Sequence, residues 1–356
     1  MMMIREFRSR ANAAVGYRLR DFASGALAHY CRPSSIVLML TERCNARCVH
    51  CDIWKNKGGE ATPAVGHWKQ LLSDLASWLG PVHLALSGGE ALLRPYTPEL
   101  IAWGERRGLL MELLTHGYWL DQSRIEAAAL ADPWRITVSV DGIGDFHNLV
   151  RGRPDFWLNT ERTIRTLIRL RREKNLRCVI RLKTVIMRQN LDHVLDVARF
   201  AAENGLEVFY QPIEQNYNTP DDSEWYLNGD NWPRDIDAVI RQVDRLIEGW
   251  KNGLPIRNSL QQLEVMKAYF SDPGRLVTAV QGHTAHESRP VCSAATGFQI
   301  QANGDVVVCS HQPPIGNIGQ RGIRDIWAAR PRCWIDGCCQ HHLSGVEAES
   351  GLTVIS

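Results

Sequence analysis

The stretch that decides the fold is "TERCNARCVHCDIW" (41–54), in which Cys44, Cys48 and Cys51 stand in a C-x3-C-x2-C run. A structural zinc site takes four tetrahedral ligands, usually as two pairs. This run does not divide into such pairs, and His50, lodged between two of the cysteines, is cramped as a fourth ligand. Three thiolates instead suit a [4Fe–4S] cluster in which one iron stays open. An open iron can chelate a substrate through an amine and a carboxylate.

The cysteines follow directly on an apolar run, "SIVLML" (35–40). Five further runs read as strands: "VHLAL" (82–86), "LLMELL" (109–114), "RITVSV" (135–140), "CVIRLKTVI" (178–186) and "LEVFYQP" (206–212). Between them apolar residues recur at helical spacing, as in Trp68, Leu71, Leu72, Leu75 and Leu79. Ile164, Leu167 and Ile168 repeat the pattern, and so do Leu191, Val194, Leu195, Val197 and Ala198. Apolar strands alternating with helices predict an α/β fold with a parallel sheet and helical crossovers. Six units fall short of the eight that close a full barrel, so an open partial barrel and a doubly wound sheet both fit. In either case ligands bind at the C-terminal ends of the strands. The cysteine loop follows the first strand and "SGGE" (87–90) follows the second, so both lie on that face.

Composition narrows the rest. The 356 residues are 44% hydrophobic and 22% charged, which is ordinary for a globular protein. A net charge of +2 gives no argument for a nucleic-acid partner. Five of the ten cysteines lie from Cys292 onward and three in the first loop, a clustering that reads as metal ligation in a reducing compartment, the cytoplasm. Cys31 and Cys178 stand alone and read as buried thiols. The arginine-bearing N-terminus is not a signal peptide, and no segment is apolar enough to predict a transmembrane span. Ile4, Phe7, Ala11, Val15 and Leu19 place a stripe on an N-terminal helix, read as packing on its own domain rather than on a membrane surface.

The C-x3-C-x2-C loop, joined to "SGGE" at the next strand end, resembles the radical S-adenosylmethionine (radical SAM) enzymes over residues 35 to about 212. The resemblance implies a partial (β/α)6 TIM-like barrel and a [4Fe–4S] cluster on Cys44, Cys48 and Cys51. It further implies that the open iron binds the amine and carboxylate of S-adenosylmethionine. One electron, from a donor such as flavodoxin or ferredoxin, cleaves the sulfonium C–S bond. The resulting 5′-deoxyadenosyl radical takes a hydrogen atom from the substrate. Gly88 and Gly89, lacking Cβ atoms, would let the backbone approach the methionyl group, and Glu90 would accept a bond from its amine. By the same likeness Ser139 of "SVDG" is matched to the cofactor's ribose or carboxylate, and Arg151 of "HNLVRG" to its carboxylate. Asp141 faces the same mouth, either contacting substrate or capping the next turn. His50 and Trp54 flank the cluster, as a shield, an adenine neighbour or simple packing. One departure stands out: where the family often has Thr-Asn-Gly, this chain has "THGYW" (115–119). His116 there is either a titratable group near substrate or a tolerated variation.

The tail "CSAATGFQIQANGDVVVC" (292–309) reads as a β-hairpin about an Asn-Gly-Asp turn. With "IGNIGQRGIRDIW" (315–327) it resembles the SPASM and twitch extensions that hold auxiliary iron–sulfur clusters. Its five thiols support one auxiliary [4Fe–4S] cluster, assigned to Cys292, Cys309, Cys333 and Cys338 with Cys339 spare. A zinc knob is the competing reading. The domain plan is then a helical extension (1–34), the radical SAM core (35–212), a linker with helices (213–287) and a twitch-type domain (288–356). The expected activity is of oxidoreductase type. Only 34 residues precede the first strand, too few for the leader-binding domain common among peptide-modifying relatives. That favours a small-molecule substrate, a sugar or alcohol undergoing dehydrogenation. Peptide or protein modification is the alternative, and a non-catalytic iron–sulfur or zinc protein is the reading from another class. Iron and sulfide analysis of protein purified without oxygen separates the cofactor readings. Two clusters give about eight irons per chain, and a zinc-bearing tail gives about four with one zinc.

Overall fold

The computed structural model describes residues 2–22, 30–56, 61–214, 225–271, 278–279, 296–308, 313–331 and 352–353. Cys292, Cys309, Cys333, Cys338 and Cys339 lie outside them. In chain order the first elements are α1 (Met2–Phe22), β1 (Ser35–Met39), α2 (Val65–Leu79), β2 (His83–Ser87), α3 (Thr97–Arg106), β3 (Leu110–Thr115), α4 (Ser123–Leu130) and β4 (Arg135–Ser139). There follow α5 (Asp145–Arg151), α6 (Phe156–Glu173), β5 (Val179–Ile186), α7 (Val194–Glu203), β6 (Glu207–Pro212), α8 (Trp225–Asn228), α9 (Ile236–Lys251) and α10 (Leu260–Ser271). The last are β7 (Thr278–Ala279), β8 (Gly297–Ile300), β9 (Asp305–Val307), β10 (Gly316–Asn317), α11 (Ile323–Ala328) and β11 (Leu352–Thr353).

Strands β1 to β6 pair in parallel and in sequence order. A doubly wound sheet would reverse direction at a switch point. The unreversed order is that of a barrel wall left open, a partial (β/α)6 barrel. Helices cover the outside because their apolar stripes need the strands' outward faces: Trp68, Leu71, Leu72 and Leu75 of α2 pack with Leu38, Leu84 and Leu86 in one core. Burying each of these leucines contributes about 1.5–3 kcal/mol. Cys31 and Cys178 are buried thiols within this framework.

The hairpin β8–β9 does form, antiparallel, with β10 beside β9. Its β8 strand also pairs in parallel with β1, so the hairpin extends the same sheet. The α1 stripe behaves differently from expectation. Ile4, Phe7 and Val15 are exposed, and α1 is attached through Arg5 instead. The Arg5 guanidinium ion-pairs with Glu105 at 3.0 Å and donates to the carbonyls of Gly108, at 3.0 Å, and Leu109. Three acceptors for one planar fork outweigh the packing of a sparse apolar stripe.

Several side chains inside the barrel are charged. Glu112 of β3 accepts from Arg135 of β4 at 2.8 and 2.5 Å, from Thr137 at 2.5 Å, and pairs with His83 at 2.5 Å. Burial alone would raise the Glu112 carboxyl, but Arg135 and His83 outweigh it and hold the group well below its ordinary value of 4.5. The folded chain therefore takes up that proton less readily than the unfolded chain. The network's stabilisation is complete above the ordinary value and is lost as pH falls through the depressed one. Glu112→Gln leaves Arg135 uncompensated and is expected to cost about 3–5 kcal/mol in denaturant unfolding at pH 7. The same variant should flatten the acid limb of the stability–pH curve.

Candidate active site

The cysteine loop is held from three sides by the loops at the neighbouring strand ends. Toward β2, Gly89 and Glu90 donate backbone hydrogen bonds to Thr41 and Arg43 at 2.8 and 2.9 Å. A Cβ on Gly88 would collide with the Thr41 carbonyl oxygen, and one on Gly89 with that of Arg43. Gly88 also has φ +124°, which a side chain rarely adopts. The missing Cβ atoms therefore make room for the cysteine loop itself, a use that the sequence reading did not supply.

Toward β3, His116 Nε2 donates to Asn45 Oδ1 at 2.7 Å, while its Nδ1 accepts from the Tyr118 amide at 2.9 Å. Burial, then the charge of Arg151, pushes the His116 pKa down to about 3, so the ring is neutral. A neutral ring bonded at both nitrogens positions the cysteine loop, a use that neither reading of His116 from the sequence supplied. Glu90 is fully buried, and its carboxylate accepts from Leu92, Thr115 and His116 amide or hydroxyl donors at 2.9–3.1 Å. Burial still raises it to about 7. Its oxygens already cap the turn Ala91–Leu93 and tie β2 to β3.

Toward β4, Arg47 and Val49 donate to the carbonyls of Arg151 and Val150 at 3.2 and 2.9 Å. Gly152, at φ +72°, ends α5 where a Cβ would strike Arg47. Arg153 Nε donates to the Asn45 carbonyl at 3.0 Å. Arg151 is buried, donates to Cys48 Sγ at 3.3 Å and pairs with Asp141 Oδ2 at 2.5 Å. Burial would lower the Arg151 pKa, but Asp141 and Cys48 raise it further. Burial would likewise raise Asp141, and Arg151 holds it below its ordinary value. Asp141 is thus a structural anchor, taking the Val185 amide at 3.0 Å while its own amide donates to His147 Nδ1 at 3.2 Å.

The three thiols converge on a patch formed by Ala46, Cys48, Tyr118 and Phe156. Burial pushes Cys44 up to about 12 and Cys51 upward as well, so both are neutral thiols until a metal takes their protons. Among the described residues no three such side chains close on a single-ion geometry. Around them His50 Nδ1, Trp54 Nε1, His147 Nε2 and Arg151 Nε are buried without a hydrogen-bond partner. Orphaned polar atoms clustered beside three thiols fit a bound polar group. Ser139 ends β4 on the same rim, half-buried. Sequence reasoning assigns no role to Asn45 and Arg153, which lie in loops with no periodic cue, or to His147, which sits within the short helix α5.

The family model for the radical SAM superfamily matches residues 38–209, and that for the SPASM iron–sulfur cluster-binding domain matches 292–343. The chain is 31% identical over 329 residues to a PqqA peptide cyclase of Xanthomonas campestris pv. campestris, covering 86% of this chain and 78% of that protein. It is 26% identical over 302 residues to the AdoMet-dependent heme synthase of Methanosarcina barkeri, covering 83% and 82%. In fold it resembles Streptococcus suis SuiB bound to S-adenosylmethionine, with a TM-score of 0.63 at 16% identity over 86% of this chain and 68% of that one. These matches bring a [4Fe–4S] cluster, S-adenosylmethionine and auxiliary iron–sulfur clusters as cofactors. The chain belongs to the radical SAM superfamily and carries a SPASM iron–sulfur domain.

Proposed function

We propose that this enzyme modifies a polypeptide, acting on a side chain of its substrate. The observation that carries the reading is the 31% identity to a peptide cyclase over 86% of the chain. It replaces the sugar or alcohol favoured on sequence grounds. Cys44, Cys48 and Cys51 would hold the cluster, which with S-adenosylmethionine supplies reductive sulfonium cleavage and hydrogen-abstracting power. Arg151, donating to Cys48 and paired with Asp141, keeps positive charge beside a thiolate that would otherwise be buried alone. Phe156 and Tyr118 cover the thiols' apolar side and limit water there. Ser139 and the orphaned nitrogens of His50 and Arg151 are the donors available to the cofactor. Glu90 would act on the cofactor by holding the cysteine loop and the β2 and β3 ends in place, since its carboxylate, amide and carbonyl are all bonded within the protein.

Cys292, Cys309, Cys333 and Cys338 would hold an auxiliary cluster able to accept the electron left after hydrogen abstraction. Ferredoxin or flavodoxin would supply the reducing electron, and a reducing cytoplasm suits the clusters. No described helix is long and apolar enough to cross a membrane. A second reading, iron-tetrapyrrole chemistry, is favoured by the heme synthase match over 82% of that protein.

Two measurements test this. Anaerobically reconstituted enzyme with dithionite should form 5′-deoxyadenosine from S-adenosylmethionine, and Cys48→Ser should abolish it. Deuterated peptide pools and iron coproporphyrin are then compared as sources of deuterium in 5′-deoxyadenosine. Transfer from a peptide supports the first reading, and transfer from the porphyrin alone overturns it. With folding intact, Gly89→Ala should cut iron from about eight to about four per chain, because the added Cβ meets the cysteine-loop backbone.

A further inference from the structure

We propose that Lys183 is the anchor for a carboxylate of the substrate inside the barrel. The proposal rests on the polypeptide reading and narrows it to a substrate that presents an acidic side chain, or a chain terminus, to the barrel interior.

Interior charges can be followed in register from the N-terminal ends of the strands. In the lowest layer Glu112 stands opposite Arg135 and is bonded to it. In the next, Arg181 stands opposite Glu207, donating at 3.1 and 2.7 Å, and Arg257 pairs with the other Glu207 oxygen at 2.7 Å. The next layer is Ser139, Lys183 and Phe209, on adjacent strands, with Val185 and Gln211 above it. There the pairing stops. Lys183 is half-buried and makes no hydrogen bond or ion pair among the described residues.

The charges that face it come from several elements: Glu214 beyond β6, Glu112 of β3, Asp141 beyond β4 and Arg135 of β4. Glu112 is occupied by Arg135, His83 and Thr137. Asp141 is held by Arg151. Glu214 is the nearest of these charges in effect, but it forms no ion pair with Lys183 among the described residues. Burial accordingly lowers the Lys183 pKa, and these carboxylates only partly offset the shift. A half-buried ammonium without an ion-pair partner loses part of its hydration uncompensated, and an anionic ligand is what would complete it.

The position suits a substrate. Lys183 neighbours Ser139, one strand spacing of about 4.8 Å away. A group held on its ammonium would lie beside Ser139, which shares the cysteine-loop rim with Arg151. A carboxylate matches better than a phosphate. One ammonium offers three donors at most, and Glu214 and Asp141 nearby would repel a dianion.

The test uses the reconstituted full chain with S-adenosylmethionine and two probes of nearly equal shape, N-acetyl-glutamate amide and N-acetyl-glutamine amide. Ligand-observed NMR reads both affinities without turnover, so the outcome is independent of the substrate-transfer assay above. The wild-type enzyme should bind the glutamate probe at least about tenfold more tightly than the glutamine probe. Lys183→Met should erase that preference, and Lys183→Arg should retain most of it. Equal binding of the two probes by the wild type, or binding of neither, overturns the proposal whether or not the variants fold. So does a preference that survives in a folded Lys183→Met.

Discussion

The arrangement depends on one constraint: a loop of three cysteines must keep its shape while its thiols lie in an apolar patch. Such a loop has no strand or helix ladder to satisfy its backbone groups. Its partners come from the three adjacent strand ends, through Gly89 and Glu90 beyond β2, His116 beyond β3, and Arg151 and Arg153 in and after α5. Sequential parallel pairing is what brings these ends to one rim. The sheet order and the site are therefore one requirement seen at two scales.

The charged interior follows from the same openness. A closed eight-stranded barrel is filled by layers of branched apolar side chains. An open six-stranded wall need not be filled in that way, and here charged side chains line part of it. Charges in such a space must be paired, because an unpartnered one loses hydration without compensation. Glu112 with Arg135 and Glu207 with Arg181 obey that rule. They also stiffen the floor on which the rim residues stand, since each pair links adjacent strands.

Much of this was legible in the sequence. Trp68, Leu71, Leu72, Leu75 and Leu79 gave α2 its buried face, and each of the six apolar runs became a strand within a residue or two at either end. The barrel interior was not legible. In "VIRLKTVI" the alternation of Arg181, Lys183 and Val185 with buried residues has the look of a strand with one wet face. Period two reports that two faces differ, but not whether the polar face meets solvent or the inside of a barrel. Strand-to-strand register alone settles that, and it is a tertiary property. The α1 stripe misled for a related reason: periodicity marks an apolar face, whereas the Arg5 contacts with Glu105 and Gly108 decide which face docks.

"SGGE" and the cysteine loop are best understood as a single packed unit. A glycine pair ending a strand is common in turns, and three closely spaced cysteines occur in other metal sites. What neither supplies alone is the contact between them. The Gly88 and Gly89 positions lie against the carbonyls of Thr41 and Arg43, so bulk at either glycine would push the thiol-bearing loop off the rim. Glu90, on the far side, fastens the same segment to Thr115 and His116. His116 then reaches back to Asn45 within the cysteine loop. The contacts form a closed ring from loop to β2 to β3 and back to the loop. A ring of this kind resists displacement of any one member more than an open chain of contacts does, because moving one loop must break bonds at both its neighbours. The histidine in place of the usual asparagine fits the same account. A neutral imidazole with one donor and one acceptor nitrogen can bridge the Asn45 side chain and the Tyr118 amide, so the ring stays closed through a different residue.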